Sequence, residues 1–278
     1  MFSENAYAKV NLSLLITGKR QDGYHLLDTV MQTVSLSDVI TVKDNEEIGI
    51  KVICDNSSID NKENICYKAA ELFFERTDIK RGVTIEINKN IPLAAGLGGG
   101  SADAAAVLRI LNKLYAKPLS YDQLCEIGLK LGADVPFCIN GGCARVKGIG
   151  EEIKKIPSKL KLYIVLVKDA LKASTGQMYG DFDKLNRNAE LSDISGKMEE
   201  SLCNGDYGQF CEAFYNDFSL VSNYSYISKR LIELGADAVS LSGSGPTVMG
   251  IFSSKEKADS VAQLLDNEYK FVFSCENV

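Results

Sequence analysis

The chain has 278 residues, 45% of them hydrophobic, and a formal charge of −6 at pH 7; that length and apolar content can bury a large core and make two domains the default. An acidic chain lacks the basic face of a nucleic-acid binder, so a polyanionic ligand has to be held by local dipoles. No apolar run reaches the length of a membrane span, and Met1-Phe-Ser-Glu-Asn5 lacks the basic-then-apolar order of a signal peptide. The expectation is a cytoplasmic protein with no nucleic acid, no membrane and no protein partner.

In chain order, Ala8, Val10, Leu12 and Leu14 share one face of a period-two segment and Lys9, Asn11 and Ser13 the other, which predicts a half-buried strand with a polar face. A turn at 21–24 leads to strand-like runs at 26–34, 39–42, 48–53 and 83–87, with a helix over 64–77 between the last two. A glycine-dense loop then opens into a helix running to about Leu114, and a second helix over 120–131 carries Ser120 as its cap. The Lys/Glu-rich stretch 147–159 precedes a buried strand over 160–167, and the domain boundary is placed there, at 156/157. Helices are expected over 192–204, 207–218, 224–234 and 255–265. Strands are expected over 238–241, 248–252 and 271–274, with a tight turn at Ser242-Gly-Ser-Gly-Pro246, so the second half reads as an α+β domain with an antiparallel sheet. Eight cysteines are scattered through apolar segments without a Cys-x-x-Cys pair, and there is one histidine, His25; small buried thiols fit better than disulfides or a zinc site.

The loop comprises Pro92, Leu93, Ala94, Ala95, Gly96, Leu97, Gly98, Gly99, Gly100, Ser101 and Ala102. Its glycines let backbone N–H groups converge on one point, and Ser101 is read as the cap of a helix whose first-turn amides and dipole attract an anion. No lysine follows Gly100, which excludes a Walker loop, and Ser101 stands where a dinucleotide fingerprint needs its third glycine. The segment resembles the phosphate-binding motif of the GHMP kinases, Pro-x-x-x-Gly-Leu-Gly-x-Gly-Ser-[Ser/Ala], at every position from Pro92 to Ala102. That resemblance implies an α+β, two-domain GHMP kinase fold, with a ribosomal protein S5 domain 2-like N-terminal domain (1–156) that binds ATP and a ferredoxin-like C-terminal domain (157–278). It also places the 242–246 turn near the active site.

Three further segments, 6–14, Asp22-Gly-Tyr-His-Leu-Leu27 and Leu131-Gly-Ala-Asp-Val-Pro-Phe137, resemble the branch of the family that acts on a cytidine-diphosphate-linked methylerythritol. Similarity covers the N-terminal domain throughout and is weaker beyond it, where 242–246 and Asn216-Asp217 are the landmarks. The resemblance implies that Asp134 accepts the proton of the substrate hydroxyl, or orients that hydroxyl, while Lys9 keeps the carboxylate charged. It implies a cytosine pocket at Tyr24 and His25, with Tyr179 as a second aromatic face, and substrate binding by Asn11. The cofactors implied are ATP and Mg²⁺, with the Ser101 hydroxyl near the metal and no protein metal cluster. On the residues alone Lys9 fits a solvated charge on an open strand face, Asp134 a turn, His25 a core histidine and Asp103 a complement to the helix dipole. Another small-molecule kinase of the family, for homoserine or mevalonate, and a non-catalytic nucleotide-binding protein are the rival readings.

Overall fold

A computed structural model describes residues 1–55, 62–169, 174–185 and 193–278. Two compact units share the chain in alternation: one holds Met1–Lys9, Leu36–Pro92 and Gly98–Gly141, the other Val10–Ser35, Leu93–Leu97 and Gly142–Val278. Two long strands, β1 (Phe2–Lys19) and β2 (His25–Asn45), contribute residues to both.

In the first unit, β3 (Ile50–Cys54) runs parallel to β4 (Gly82–Asn88), and β4 pairs antiparallel with β2 from Val39 opposite Asn88 to Asn45 opposite Gly82. Alternation along these strands sends Ile40, Val42, Ile85 and Ile87 into a core shared with α1 (Ile65–Thr77) and α2 (Gly99–Leu114). Ten of the sixteen residues of α2 are buried, and its alanine-rich face lets neighbouring elements approach closely. Asn64 caps α1 by accepting the Cys66 N–H, and Ser120 with Gln123 forms a capping box on α3 (Tyr121–Leu131). A short helix, α4 (Val135–Asn140), follows with Pro136 in its first turn, where no amide hydrogen bond is lost. A Cβ on Gly128 would stand 3.0 Å from Ile139 and Val135 side-chain atoms, so glycine there lets α3 pack tightly on α4.

In the second unit, β5 (Cys143–Gly148) pairs antiparallel with Leu27–Gln32 of β2 and with β6 (Glu152–Lys155). A separate antiparallel sheet has the order β11-β7-β10-β9: Phe271–Glu276, Tyr163–Lys168, Val248–Phe252 and Ala238–Leu241. Its core gathers Val165, Val167, Val248 and Phe252 with Ile227 and Leu231 of α8 (Ser225–Glu233) and Val261 and Leu265 of α9 (Lys255–Leu265).

Several expectations are corrected. The polar face of β1 is not open: Lys9, Asn11 and Ser13 are all buried, which is tolerable only because each has partners. Runs 26–34 and 39–42 are one strand. Ser101 is not a cap; it is the third residue of α2, and Gly98, in the left-handed region at φ 67°, takes the cap position without a side-chain bond. Within the stretch 147–159, Glu152–Lys155 form β6. The helix from Tyr207 ends at Glu212 (α7), because Tyr215–Asn216 (β8) pairs with Ser13–Leu14 and Asp217–Leu220 tightens into a 3-10 turn. Thr175–Asp183, which carries Tyr179, is a helix (α5). Helix α6 spans Ile194–Asn204; Ser192, its expected start, lies outside the described residues. All eight cysteines are free, and burial pushes the Cys138 and Cys143 thiols up to about 12. No helix among the described residues is long and apolar enough to cross a membrane.

Candidate active site

The first unit brings three sequence-distant segments together. Lys9, with its side chain 5% exposed, reaches from β1 to place Nζ 3.2 Å from Asp134 Oδ2. Asp134 occupies the cap position of α4 yet makes no capping bond, which leaves its carboxylate turned to the lysine. The stem of Lys9 lies under the glycine loop: a Cβ on Gly98 would stand 2.8 Å from Lys9 Cγ and 3.1 Å from Cε. A Cβ on Gly132, two residues before Asp134, would come within 3.9 Å of Ser101 Oγ. The first helical bond of α2 runs from Ala102 N–H to the Gly98 carbonyl at 2.8 Å. The amides of Gly99, Gly100 and Ser101 precede it and have no partner within the helix, which makes them donors for an anion. This arrangement can hold phosphate oxygens beside a lysine–carboxylate pair.

Beneath the loop is a buried ionic group that was not read from the sequence. Lys89 Nζ donates to Asp103 Oδ2 at 2.7 Å and to Asp38, with the three side chains 9%, 4% and 0% exposed. Asp38 Oδ1 also accepts the Asn90 and Ile91 amides at 2.6 and 2.8 Å. Burial pushes the Asp103 carboxyl up to about 7 against the pull of Lys89, and its Oδ1 is buried without a partner. Asp103 is therefore committed to Lys89 rather than only complementing the helix dipole. A Cβ on Gly99 would lie 3.5 Å from Lys89 Nζ, so the group ties the strand leading to the loop to the helix leaving it. Lys89→Met should leave two carboxylates buried in contact and cost about 3–5 kcal/mol, the usual penalty for breaking a buried pair; urea unfolding measures it, and a loss below about 1 kcal/mol would mean that water screens the group.

The remaining predicted residues belong to the second unit. Gly96, at φ 77°, has no room for a side chain, since a Cβ would lie 2.4 Å from the Ser242 carbonyl oxygen and 2.8 Å from that of Gly245. Ser242 Oγ donates to the Gly96 carbonyl at 3.0 Å, and Asn216 Nδ2 donates to the Leu241 and Gly243 carbonyls at 2.9 Å, so the 242–246 turn packs on this part of the loop. Asp217 accepts the Ile16 amide at 2.7 Å. Asn11 is 1% exposed and donates to Thr29 Oγ1 at 2.8 Å. Tyr24, in the 21–24 turn, is 63% exposed. His25, beside it, is covered: Tyr179 stacks on its ring at 4.4 Å between centroids and 13° between planes, and Phe218 meets Tyr179 edge-on. His25 Nε2 lies 2.7 Å from Asp183 Oδ1, while Lys19 Nζ donates to Asp183 Oδ2 at 2.6 Å. Hydrogen bonds from Lys19 and His25 lower the Asp183 carboxyl below the ordinary carboxylate range. Asp183 and Lys19 carry no local signal, since Asp183 meets a histidine 158 positions away. Among the described residues no group of three or more His, Cys, Asp or Glu side chains is placed to hold a metal ion.

The family model described as GHMP kinases N terminal domain matches residues 64–142, and the one described as GHMP kinases C terminal matches 198–270. The fold is thus the two-domain α+β fold of a GHMP kinase. A 4-diphosphocytidyl-2-C-methyl-D-erythritol kinase of Clostridium acetobutylicum is 40% identical over 279 residues, covering 98% of this chain and 99% of that protein. One from Bacillus cytotoxicus is 42% identical over 252 residues, covering 88% and 86%. A crystal structure of 4-(cytidine 5'-diphospho)-2C-methyl-D-erythritol kinase superposes with a TM-score of 0.84 at 30% identity over 99% of each chain. Homoserine kinase from Cytophaga hutchinsonii, at 17% identity, 98% and 92% coverage and a TM-score of 0.73, shares the fold alone. The chain belongs to the 4-diphosphocytidyl-2-C-methyl-D-erythritol kinase family of the GHMP kinases.

Proposed function

We propose that the chain moves the γ-phosphoryl group of ATP to the 2-hydroxyl of 4-diphosphocytidyl-2-C-methyl-D-erythritol, a step of the non-mevalonate route to isoprenoid precursors that takes place in the cytoplasm. The observation that carries this reading is the buried Lys9 ammonium 3.2 Å from the Asp134 carboxylate, with its stem against Gly98 of the phosphate loop. Phosphoryl transfer passes through a loose transition state and needs in-line positioning and neutralised oxygen charge more than covalent help. Asp134 holds the hydroxyl and receives its proton; Lys9 fixes the carboxylate and offsets charge at the transferring group. The amides of Gly99, Gly100 and Ser101 take phosphate oxygens, and the rest of the run from Pro92 to Ala102 shapes the loop. In family terms residues 1–156 are the ATP-binding domain and 157–278 the C-terminal domain.

A Mg²⁺ ion bound with ATP would supply charge neutralisation on the phosphate oxygens, with most of its ligands from water. The site fits one protein oxygen to it: Ser101 is half-buried, its hydroxyl makes no hydrogen bond among the described residues, and Asp103 is engaged with Lys89. The cytosine is bound by Tyr24 and His25, with Tyr179 packed on the face of the His25 ring, and Asn11 contacts the substrate. Tyr24, with an open ring face, stacks on the base, and His25→Ala should raise KM for the cytidine substrate far more than it lowers kcat, because contact with the base is uniform along the reaction path. Tyr24→Ala should lose about 1–3 kcal/mol of substrate binding. The direct test is incubation of the purified chain with ATP and the cytidine substrate, following phosphomonoester formation by phosphorus NMR, with homoserine and mevalonate alongside. Phosphorylation of either alternative, and none of the cytidine substrate, overturns the proposal.

A further inference from the structure

We infer that Asp183 is a positioning residue for base specificity: it fixes the proton of His25 on Nε2, leaves Nδ1 as an acceptor, and so selects a pyrimidine with an exocyclic amino group over one with a carbonyl there. The inference rests on the reading that His25 meets the base of the substrate. A carboxylate oxygen can only accept in a bond to an imidazole nitrogen, so at 2.7 Å from Asp183 Oδ1 the Nε2 atom carries the hydrogen and donates. Lys19, on the other carboxylate oxygen, and His25 itself favour the charged form of Asp183 that makes this assignment one-way. Nδ1 makes no hydrogen bond among the described residues. One face of the ring is covered by Tyr179, so recognition by His25 runs through this free edge of the imidazole. An Nδ1 lone pair accepts from the N4 amino group of cytosine and meets O4 of uracil acceptor to acceptor, which leaves both unpaired.

The helix makes the grip on His25 a single unit. Tyr179 and Asp183 are four residues apart on α5, so their side chains emerge on one face a turn apart. The first stacks on the ring and the second accepts the hydrogen bond from its Nε2–H. Phe218, edge-on to Tyr179, backs the stack. The carboxylate and its lysine are 39% and 49% exposed, so water competes for the bond and the effect on specificity should be moderate.

His25 is the only histidine in the chain, so a long-range proton–nitrogen spectrum of the full-length protein reports its tautomer without assignment. Wild type should show Nε2 protonated and Nδ1 bare. In Asp183→Ala the tautomers should mix, and in Asp183→Glu the wild-type pattern should persist. Calorimetric titration with cytidine 5′-diphosphate and uridine 5′-diphosphate gives the functional readout. The cytidine preference of wild type should shrink on the order of tenfold in Asp183→Ala, with a thermal melt confirming the fold. An Nδ1-protonated histidine in wild type overturns the inference. So does an unchanged cytidine-to-uridine ratio in Asp183→Ala when His25→Ala erases it. Cytidine diphosphate binding as tight in His25→Ala as in wild type would instead show that His25 does not meet the base, which removes the reading on which the inference rests.

Discussion

Asp134→Asn should reduce turnover by about 10²–10⁴-fold, the range that a positioned acid–base group contributes, while ATP binds as tightly as before. The substitution is nearly isosteric, so the α4 turn keeps its shape, but an amide cannot take the hydroxyl proton as a carboxylate does. Lys9 complicates the measurement, because its ammonium is buried and would lose its charged neighbour. Part of the loss could then reflect a displaced lysine rather than a missing base. The double variant Lys9→Met/Asp134→Asn separates the two. With both residues acting in the chemistry it should be at least as slow as Asp134→Asn, since members of a catalytic pair are strongly non-additive. Single-turnover kinetics with calorimetric ATP titration gives both numbers. Turnover of Asp134→Asn within a few-fold of wild type, or recovery in the double variant, would sink the assignment.

Local signals in the sequence carried the fold where local physics decides it. Strands 238–241 and 248–252 and helix 255–265 have the extents expected from periodicity and turn chemistry, and Ser120 caps α3 as expected. Expectation failed where a distant partner decides. The segment after Glu212 leaves the helix because Tyr215–Asn216 finds an edge position on Ser13–Leu14, and 152–155 becomes a strand because β5, already paired with β2, offers a second edge. The polar face of β1 follows the same rule: alternation locates Lys9, Asn11 and Ser13 together, but only tertiary packing says that the face is covered. Among the candidate site residues, the loop, Lys9 and Asp134 could be singled out because each sits in a segment that resembles a family motif. Asp183, Lys19, Lys89 and Asp38 could not, because an ion pair between distant positions leaves no mark in either local sequence.

Gly98→Val should weaken ATP binding and slow turnover together, each on the order of 10²-fold, because the one position serves both loop and lysine. Gly98 holds φ 67°, where a β-branched residue is strained. Its absent side chain also makes room for Lys9, whose Cγ and Cε would lie 2.8 and 3.1 Å from the new Cβ. The first effect re-aims the amides of Gly99, Gly100 and Ser101; the second pushes Nζ away from Asp134. Gly98→Asn distinguishes them, since asparagine tolerates the left-handed region better than valine yet brings the same Cβ against Lys9. It should recover more of the ATP affinity than of the turnover. Binding of the cytidine substrate, titrated without ATP, should be spared in both variants, and thermal melts should accompany the titrations. Equal losses for both ligands with a lowered Tm would mean general misfolding. Retained ATP affinity in Gly98→Val would mean that the loop backbone does not approach phosphate, and the phosphate site would then have to be sought elsewhere in the chain.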